Sequence, residues 1–356
     1  MSKEKDMLFI DGSEKSGSGT ILRYGLAIAS LLNKPLQLYN IRAKRARPGL
    51  MPQHLKTVQA SAELTGGKAD GLYKGSRHLT FSPGPFVKGG NFTWDIGTAG
   101  STTLMAQCLV PMAIFSCEPL VLTLHGGLFQ DFAPNPFHMK HVLFSLLSRF
   151  SVKTELEVIT PGYYPKGGGT IRVTIQPNKG LLTPVTLVEQ GKIKAIKGIS
   201  LASHLKQGSV SQRMAEACNK LLEKNGYSAE IKCIDDSSAV QKGAALMVYA
   251  ITDTGCIIGA DMSGKPGLKS EQIGKSVALQ LLEDIRSGAS VDRFTADQLI
   301  IYAALAEGES SYIIPYMTDH IESNLWLVSH LLGASVSVKD QVILIKGTGM
   351  KRDGAD

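Results

Sequence analysis

The feature that most constrains the fold of this chain is the repeated alternation of short strand-like segments with longer helix-like segments. Four segments have the composition typical of strands: DMLFI, KPLQLYNI, HLTFSP and PLVLTL. Four others have apolar residues at helical spacing: GTILRYGLAIASLL, QHLKTVQASAELTG, STTLMAQCLVPMAI and HMKHVLFSLLSRF. Because sheets and helices must bury their apolar faces against one another, we predict an α/β (α+β) fold of repeated βα units, packed as layers of sheet and helix.

A further set of segments indicates a separate small unit late in the chain. Between residues 184 and 285 lie strand-like IKAIKGISLA, AEIKCI, ALMVYAIT and GCIIGADM, together with two helix-like segments. That set suffices for a small sheet covered by helices. We therefore predict a main domain of repeated βα units over residues 1–183 and 286–356, with a smaller α/β domain, residues 184–285, inserted into it.

The composition indicates a globular protein with a basic surface. The 356 residues are 43% hydrophobic, and 38 Lys and Arg against 31 Asp and Glu give a net charge of +7. This excess suits a polyanionic partner such as nucleic acid, although many basic proteins bind none. The five cysteines are scattered and include no Cys-x-x-Cys pair, so we expect free thiols in a reducing compartment and no structural zinc site.

Two observations favour a cytoplasmic protein without a membrane span. The opening MSKEKDM is polar and charged, unlike a secretory signal. The most apolar long stretch, 104–124, contains Gln107, Pro111, Glu118 and Pro119. A buried helix followed by a strand therefore explains this stretch better than a membrane span.

Two helix-like segments begin with glycines and small polar residues: KSGSGTIL, 15–22, and IGTAGSTTL, 96–104. Helix N-termini present unpaired N–H groups, so either segment could hold an anion. The first lacks the Gly-Lys-Ser/Thr ending of a Walker A loop and the third glycine of a dinucleotide fingerprint, so a tight turn that caps a helix is the alternative. Gln107, amid apolar residues of the helix after the second segment, needs a polar partner from protein or ligand.

The densest cluster of charge is RAKRARPGLMPQHL, 42–55, in which four cations fall within six residues: Arg42, Lys44, Arg45 and Arg47. In an extended segment Arg42 and Lys44 would share one face, and the other two arginines would share the opposite face. A Pro-Gly turn follows, and then Gln53 and His54 at a predicted helix start. Arginine forks suit phosphate oxygens, so this cluster predicts a phosphate site; a solvated basic edge strand is the alternative.

Three shorter motifs contain candidate functional residues. His320 in MTDHIESN lies at a predicted helix start and is either a nucleophile or base, or a surface residue. Asp297 and Gln298 in FTADQL open an otherwise apolar helix, for which simple capping by Thr295 or Asp297 is the alternative. The pair in HMKH (His138 and His141) has a spacing that could bind metal, but no ligand set is completed nearby and we interpret it as a helix face.

Taken in order, these motifs resemble the RNA 3′-terminal phosphate cyclase family over roughly residues 7–350. The resemblance rests on IDGS with ILR (10–13 and 21–23), RAKRARPGLMPQHL, IGTAGSTTLMAQ, GYYPKGGG, VDRFTADQL, and His320 with Asn324. It implies repeated βα units with a late inserted α/β domain, in agreement with the prediction from periodicity. It also implies ATP-dependent conversion of RNA 3′-phosphate ends to 2′,3′-cyclic phosphates, through a histidine–AMP intermediate and an RNA adenylate, with help from a divalent metal (Mg or Mn).

The resemblance also implies roles for particular residues. His320 would be the catalytic nucleophile. The ATP-binding candidates are Gln107, Phe294, Thr295, Ala296, Asp297 and Gln298. The candidates for binding ATP and RNA phosphates are Arg23, Arg42, Arg45, Gln53 and His54.

One loop departs from the family pattern. Where the family usually reads Gly-Glu-Gly-Gly-Gly-Gln, this chain reads KSGSGT, and Ser16 replaces a glutamate that can contact the metal. A neutral hydroxyl is a far weaker metal ligand than a carboxylate. The metal site is therefore left unassigned, as is the oligomeric state.

Two other functions are open alternatives. One is a catalytically weak or silent relative that binds RNA in ribosome assembly, although that branch lacks the histidine nucleophile and the Arg, Gln and His set that this chain contains. The other is an enolpyruvylshikimate-phosphate-synthase-like transferase, whose fold also repeats βα units but has no inserted domain. The motifs favour the active cyclase.

Overall fold

The computed structural model of the chain describes residues 6–131 and 133–351. Within these residues the strands form four-stranded sheets, each with one parallel pair and two antiparallel pairs. The predicted α/β fold of repeated sheet-and-helix units is confirmed. The residues at the start of MSKEKDM, 1–5, lie outside the described part of the chain.

The first unit contains four strands and two helices: β1 (Leu8–Asp11), α1 (Gly19–Leu32), β2 (Leu36–Tyr39), α2 (Pro52–Thr65), β3 (Lys68–Asp70) and β4 (Leu79–Ser82). Its strand order is β1-β2-β4-β3. Ser18 caps the start of α1 by accepting from the Thr20 N–H, and Asn33 ends the helix in the left-handed conformation. Helix α1 is buried along nearly its whole length and forms the centre of the main core.

The second unit repeats this topology with strand order β5-β6-β8-β7. Its elements are β5 (Gly90–Asp95), α3 (Thr102–Ala113), β6 (Leu120–Gly126), α4 (Pro136–His138), α5 (Phe144–Leu147), β7 (Thr154–Thr160) and β8 (Gly169–Ile175). A π-helical turn, Met139–Leu143, joins α4 to α5. The segment GYYPKGGG joins β7 to β8, and its last glycine, Gly169, begins β8. A Cβ on Gly162 would stand 2.2 Å from the Gly169 nitrogen, as expected for two closely approaching backbones.

A third sheet follows the short strand β9 (Thr186–Leu187) and has a different order, β11-β10-β12-β13. Its elements are β10 (Ile193–Ser203), α6 (Val210–Glu223), β11 (Ala229–Asp236), β12 (Gly243–Thr252), β13 (Ile257–Ser263) and α7 (Ser270–Arg286). Helices α6 and α7 pack on one face and form a second apolar core with Leu246 and Val248, whereas Ala245 and Met247 on the opposite face join the main core.

The last unit returns to the first topology, with strand order β9-β14-β16-β15. Its elements after β9 are α8 (Thr295–Gln298), α9 (Ile300–Leu305), β14 (Glu307–Ile313), α10 (Asp319–Leu327), β15 (Ser335–Lys339) and β16 (Val342–Thr348). The third sheet and α7 thus occupy the connection between the parallel strands β9 and β14. The domain bounds 1–183, 184–285 and 286–356 stay a prediction.

No helix in residues 6–131 and 133–351 combines the length and the apolar composition that a membrane crossing requires. The stretch 104–124 instead contains most of helix α3 and part of strand β6. Both elements contribute to the main core.

Candidate active site

Helix α10 presents His320 to an open cavity of about 630 Å³ between its N-terminus and two loops of the first unit. The cavity is lined by Lys15, Ser16, Lys44, Arg45, Asp319, His320 and Glu322. Thr318 caps the helix: its hydroxyl oxygen accepts from the Ile321 N–H at 3.2 Å. This contact fixes the backbone at the first helical turn, where Asp319 and His320 lie. The predicted position of His320 at a helix start is confirmed.

The His320 imidazole is reachable and lies beside a buried carboxylate. Its side chain is 43% exposed, and its Nδ1 lies 3.6 Å from Oδ2 of Asp297. Partial burial, together with the positive charges of Arg23 and Arg45, lowers the pKa of His320 to about 4. The ring is therefore neutral at physiological pH, as a nucleophile must be.

Burial raises the pKa of Asp297 to about 7, against the opposing effect of the Arg23 charge. Its backbone carbonyl is fixed from two directions, because the Tyr24 hydroxyl donates to it at 3.2 Å and the Asn324 Nδ2 at 3.0 Å. The Asn324 Oδ1 in turn accepts from the Thr20 hydroxyl at 3.2 Å. Helices α1, α8 and α10 are thus joined around Asp297.

The alternative role considered for Thr295 and Asp297, capping of their own helix, is wrong. The cap is the carboxylate of Asp292, whose Oδ1 accepts from the backbone N–H groups of Phe294 and Thr295 at 2.9 and 2.8 Å. Thr295 donates its hydroxyl to the other Asp292 oxygen. Asp297 is therefore not needed as a cap, and its carboxylate faces His320.

The first turn of α1 forms a close contact with two buried basic side chains. A Cβ on Gly19 would stand 2.7 Å from His54 Nε2 and 3.0 Å from Arg23 Nη1. His54 Nδ1 accepts from the Met51 N–H, so the proton of the neutral ring lies on Nε2, toward Gly19. Burial, then the Arg42 and Arg23 charges, lowers the pKa of His54 to about 3. Arg23 is itself buried, and its Nε has no hydrogen-bond partner.

The basic stretch after β2 is a series of turns, so the extended geometry predicted for it is wrong. Arg42 adopts a left-handed conformation (φ 55°), and its guanidinium donates to the carbonyls of Arg47 and Gly49, which clasps the loop. Lys44 Nζ donates to the Lys15 carbonyl at 2.6 Å and joins this loop to the KSGSGT loop. Arg45 lines the cavity of His320, and Arg47 is exposed.

Three glutamines of the predicted site lie in different settings. Gln53 lies in the first turn of α2, and its Oε1 accepts from the Ser101 N–H at 2.8 Å, next to the start of α3. Gln107 Nε2 on α3 and Gln298 Oε1 on α8 are both buried without a hydrogen-bond partner. Such unpaired polar atoms are costly, so each has free capacity for a ligand.

Phe294 and Ala296 complete the predicted nucleotide-binding run. The Phe294 ring is partly buried and meets His138 edge-on, with centroids 5.9 Å apart. Ala296 is fully buried, and its carbonyl accepts from the Tyr312 hydroxyl at 2.9 Å. Of the two, only Phe294 offers side-chain surface to a ligand.

Ser16 is held by hydroxyl contacts that use its polar capacity. Its backbone N–H donates to Ser323 Oγ at 3.1 Å, its Oγ lies 2.8 Å from the same oxygen, and it lies 3.0 Å from Ser18 Oγ. In the described part of the chain no three His, Cys, Asp or Glu side chains come together as a group that could hold a metal ion. His138 and His141 do not converge either, since His138 pairs with Asp292 and His141 stacks on Tyr249.

Sequence reasoning singled out the KSGSGTIL loop without giving Lys15 a role, and it missed Ser323. Ser323 lies one turn after His320 on α10, so its helical spacing was a usable signal. Lys15 has no such signal, because its place beside His320 follows from its left-handed backbone (φ 47°) and from the contact with Lys44.

A neutral histidine beside a largely buried carboxylate, at the mouth of a cavity lined by three cations and two carboxylates, is suited to transfer of a phosphoryl or nucleotidyl group. A family model described as RNA 3′-terminal phosphate cyclase matches residues 14–338. The chain belongs to the RNA 3′-terminal phosphate cyclase family.

Relatives of this family align with the chain over nearly its full length. The RNA 3′-terminal phosphate cyclase of Pyrobaculum aerophilum is 38% identical, covering 96% of this chain and 99% of its own. That of Methanopyrus kandleri is 35% identical, covering 94% and 95%. Among solved structures, the enolpyruvyl transferase NikO from Streptomyces tendae matches with a TM-score of 0.39 and 10% identity, over 99% of this chain and 50% of that one. Similarity at that level says nothing about activity.

Proposed function

We propose that this protein converts RNA 3′-terminal phosphates to 2′,3′-cyclic phosphates at the expense of ATP, with His320 as the residue that becomes adenylylated. The observation that carries the assignment to His320 is its geometry: a neutral, reachable imidazole whose Nδ1 faces Asp297 at the mouth of a cavity lined by Lys15, Lys44 and Arg45. Membership of the cyclase family supplies the substrate class.

In the first step the unprotonated Nε2 of His320 attacks the α-phosphorus of ATP. A P–N bond forms, the P–O bond to the β-phosphate breaks, and diphosphate leaves. The Nδ1 proton is oriented by the Asp297 carboxylate, which stabilises the imidazole as it becomes positively charged. Lys15, Lys44 and Arg45 would balance the charge that develops on the departing diphosphate.

In the second step an oxygen of the RNA 3′-phosphate attacks the same phosphorus, the P–N bond breaks, and His320 is released. In the third step the neighbouring ribose 2′-hydroxyl attacks the activated 3′-phosphorus, closing the ring and releasing AMP. Each step displaces one group from phosphorus, so the main contribution of the protein is positioning and charge.

Two further side chains would contact the substrates. The Nε2–H of His54 is placed to donate to a phosphate oxygen, and the unpaired amide of Gln107 is placed to donate to the nucleotide.

The residues of the KSGSGT loop do not fit a metal site built by the protein. Ser16 provides a hydroxyl that is already bonded to Ser18 and Ser323, and Lys15 adds a positive charge beside it. Hard divalent cations such as Mg²⁺ and Mn²⁺ prefer carboxylate oxygens. On the protein side, the phosphates would therefore be neutralised by Lys15, Lys44 and Arg45.

The test is incubation of the pure protein with ATP labelled on the α-phosphate, with Mg²⁺ or Mn²⁺, followed by denaturing electrophoresis. We expect label on the protein that is lost in acid and survives alkali, as a phosphoramidate does, and none on the His320→Ala variant. His141→Ala, which removes a histidine stacked on Tyr249, is the matched control and should label normally.

Labelled protein should then transfer AMP to a 3′-phosphorylated oligoribonucleotide, and the product should resist phosphatase as a cyclic phosphate does. Equal labelling of His320→Ala would show that another residue is the nucleophile. A folded protein that binds ATP but never becomes labelled would favour the silent RNA-binding relative instead.

A further inference from the structure

A second groove runs along the exposed face of α10, next to the cavity of His320. Its volume is about 620 Å³, and it is lined by Lys15, Glu322, Leu325, Trp326, Ser329, His330 and Val336. Lys15 and Glu322 line both spaces. The groove and the cavity therefore form one continuous surface that passes from His320 to Trp326.

The groove contains a flat aromatic surface. The rings of Trp326 and His330 are stacked, with centroids 5.8 Å apart and planes 8° from parallel. Trp326 packs against the main core but is only partly buried, and His330 is exposed, so part of the pair lies at the surface. Stacked rings at a surface offer a π-face on which any nucleic-acid base can stack without sequence preference.

The backbone at this point is irregular. After Leu327 helix α10 continues as a π-helical turn, Val328–Leu332, which contains His330. Single π-helical turns are uncommon and often accompany functional sites. Leu325 and Val336 give the groove apolar contacts, and Lys15 places a positive charge where it meets the cavity.

The distance along the helix suits one end of an RNA strand. Six residues separate His320 from Trp326, or about 9 Å along the helix axis. The 3′-phosphate must reach the adenylylated His320, so the bases nearest to it would fall beside the Trp326–His330 pair.

We propose that this groove binds the single-stranded 3′ end of the RNA substrate, with one of its last two bases stacked on the Trp326–His330 pair and a backbone phosphate at Lys15. The choice of RNA as the occupant rests on the proposed function. The continuity of the groove with the cavity of His320, and the stacked rings of Trp326 and His330 beside it, carry the placement; the charge of Lys15 at the junction is balanced by Glu322.

The chain allows a direct optical test, because it contains two tryptophans. Trp94 is 5% exposed and donates its indole N–H to Glu63 at 2.7 Å, so the Trp94→Phe variant leaves Trp326 as the fluorophore. We expect a 3′-phosphorylated single-stranded oligoribonucleotide to quench its emission and to protect it from acrylamide. An oligonucleotide whose last two residues lack bases should neither quench the Trp326 emission nor protect it from acrylamide. Quenching by ATP alone would assign the groove to the nucleotide and overturn the proposal.

A kinetic test separates RNA binding from the chemistry. Trp326→Ala should raise the RNA concentration for half-maximal cyclisation about fivefold or more, the loss expected for one stacked base. The rate of self-adenylylation by ATP, which needs no RNA, should be unchanged, and Trp326→Phe should keep most of the RNA affinity because it keeps a ring.

The results of these two tests distinguish a failure of the groove proposal from a failure of the proposed cyclase function. A protein that never becomes adenylylated but whose Trp326 is still quenched by the oligonucleotide would support the groove and refute the enzyme. Unchanged fluorescence and an unchanged half-maximal RNA concentration would overturn the groove. Trp326→Ala could also slow self-adenylylation and cyclisation equally without changing the half-maximal RNA concentration. That result would overturn the groove as well, because the Trp326 ring would then only stabilise the structure of α10.

Discussion

At the scale of single residues, the proposed chemistry depends on which nitrogen of His320 holds the proton. The ring is neutral because partial burial and two nearby arginines lower its pKa to about 4. In the proposed mechanism an ionised Asp297, 3.6 Å from Nδ1, favours the ring with its proton on Nδ1, which leaves the lone pair on Nε2. With Asp297 protonated, the acid donates to Nδ1 and the ring proton moves to Nε2, where it blocks attack.

This coupling predicts a pH dependence with a definite sign. Burial raises the pKa of Asp297 to about 7, so the rate of His320 adenylylation should fall as the pH decreases through about 7, although the histidine itself does not titrate there. Single-turnover labelling with α-labelled ATP on both sides of pH 7 measures this. The Asp297→Asn variant should be slower and should lose the inflection. An inflection that persists in the variant would belong to the nucleotide and would contradict the assignment.

The cations of the cavity allow a second prediction at this scale. Lys44→Gln keeps a donor for the Lys15 carbonyl but removes the charge, so adenylylation should slow on the order of tenfold through weaker stabilisation of the departing diphosphate. Arg47→Gln removes an exposed cation of the same stretch and should have little effect. Equal rates in the wild type and both variants, measured by the same labelling assay, would show that the cavity does not hold the diphosphate.

At the scale of elements, the site depends on how α1, α8 and α10 are joined. Asn324 is fully buried and uses both ends of its amide, accepting from Thr20 on α1 and donating to the carbonyl of Asp297 on α8. One side chain thus fixes the relative positions of the three helices. Small displacements of a catalytic pair can slow a reaction a hundredfold.

We therefore expect Asn324→Ala to slow adenylylation on the order of tenfold to a hundredfold, while reducing the free energy of unfolding by about 1–3 kcal/mol. Labelling rates and denaturant unfolding measure the two effects on the same preparation. Asn91→Ala, at an exposed position of β5, is the matched control and should change neither. A normal labelling rate in a destabilised Asn324→Ala protein would show that the helices keep their positions without this amide.

Elements with regular periodicity were predictable from the sequence, and polar elements were not. The limits of α1 agree with GTILRYGLAIASLL, and β2 lies within KPLQLYNI. Strand β14, EGESSYI, was missed because its residues are mostly polar and its pairing with β16 and β9 is set by tertiary contacts. Charge alternation around Arg42 predicts an extended segment, but its left-handed backbone depends on carbonyls of Arg47 and Gly49, which only the folded loop brings into reach.

Prediction of the site from the sequence was limited in the same way, because its contacts are also tertiary. His320 and Asp297 could each be found from local motifs, but their approach to 3.6 Å joins two helices and could not be predicted from spacing. The resemblance to a family supplied candidates for the site, whereas the contacts of Ser16 and Lys15 follow from the geometry of their loop.

At the scale of the whole molecule, one buried carboxylate connects three of the four sheet-containing units. Asp292 pairs with His138 of the second unit at 3.1 Å, accepts from the Gly259 N–H of strand β13 at 2.9 Å, and caps α8 in the last unit. Both side chains of the pair are fully buried. Removal of one partner from such a pair typically costs about 3–5 kcal/mol, because the other is left buried and unpaired.

The charge state of this pair gives the last prediction. Burial alone would lower the pKa of His138, but its carboxylate neighbours, Asp292 above all with Asp261 and Asp284, raise it above the ordinary value of 6.5. The contribution of protonated His138 to stability is therefore complete below pH 6.5 and is lost as the pH rises through its folded pKa. The His138 charge lowers the pKa of Asp292 against the opposing effect of burial, so the contribution of Asp292 is lost only as the pH falls through values below 3.8.

The difference in unfolding free energy between the wild type and His138→Gln should therefore be largest between pH 3.8 and 6.5 and should shrink at higher pH. Denaturant unfolding across this range measures it, with His78→Gln, at an exposed position, as a control whose difference should stay near zero. Because the pair connects the inserted sheet to the helix that contains Asp297, adenylylation by His138→Gln should weaken along with stability. A difference that does not depend on pH would mean that His138 has the same pKa in the folded and the unfolded protein. A difference that shrinks as the pH falls below 6.5 would mean that His138 stays neutral in the fold, and that Gly259 and the start of α8 hold Asp292 without its charge.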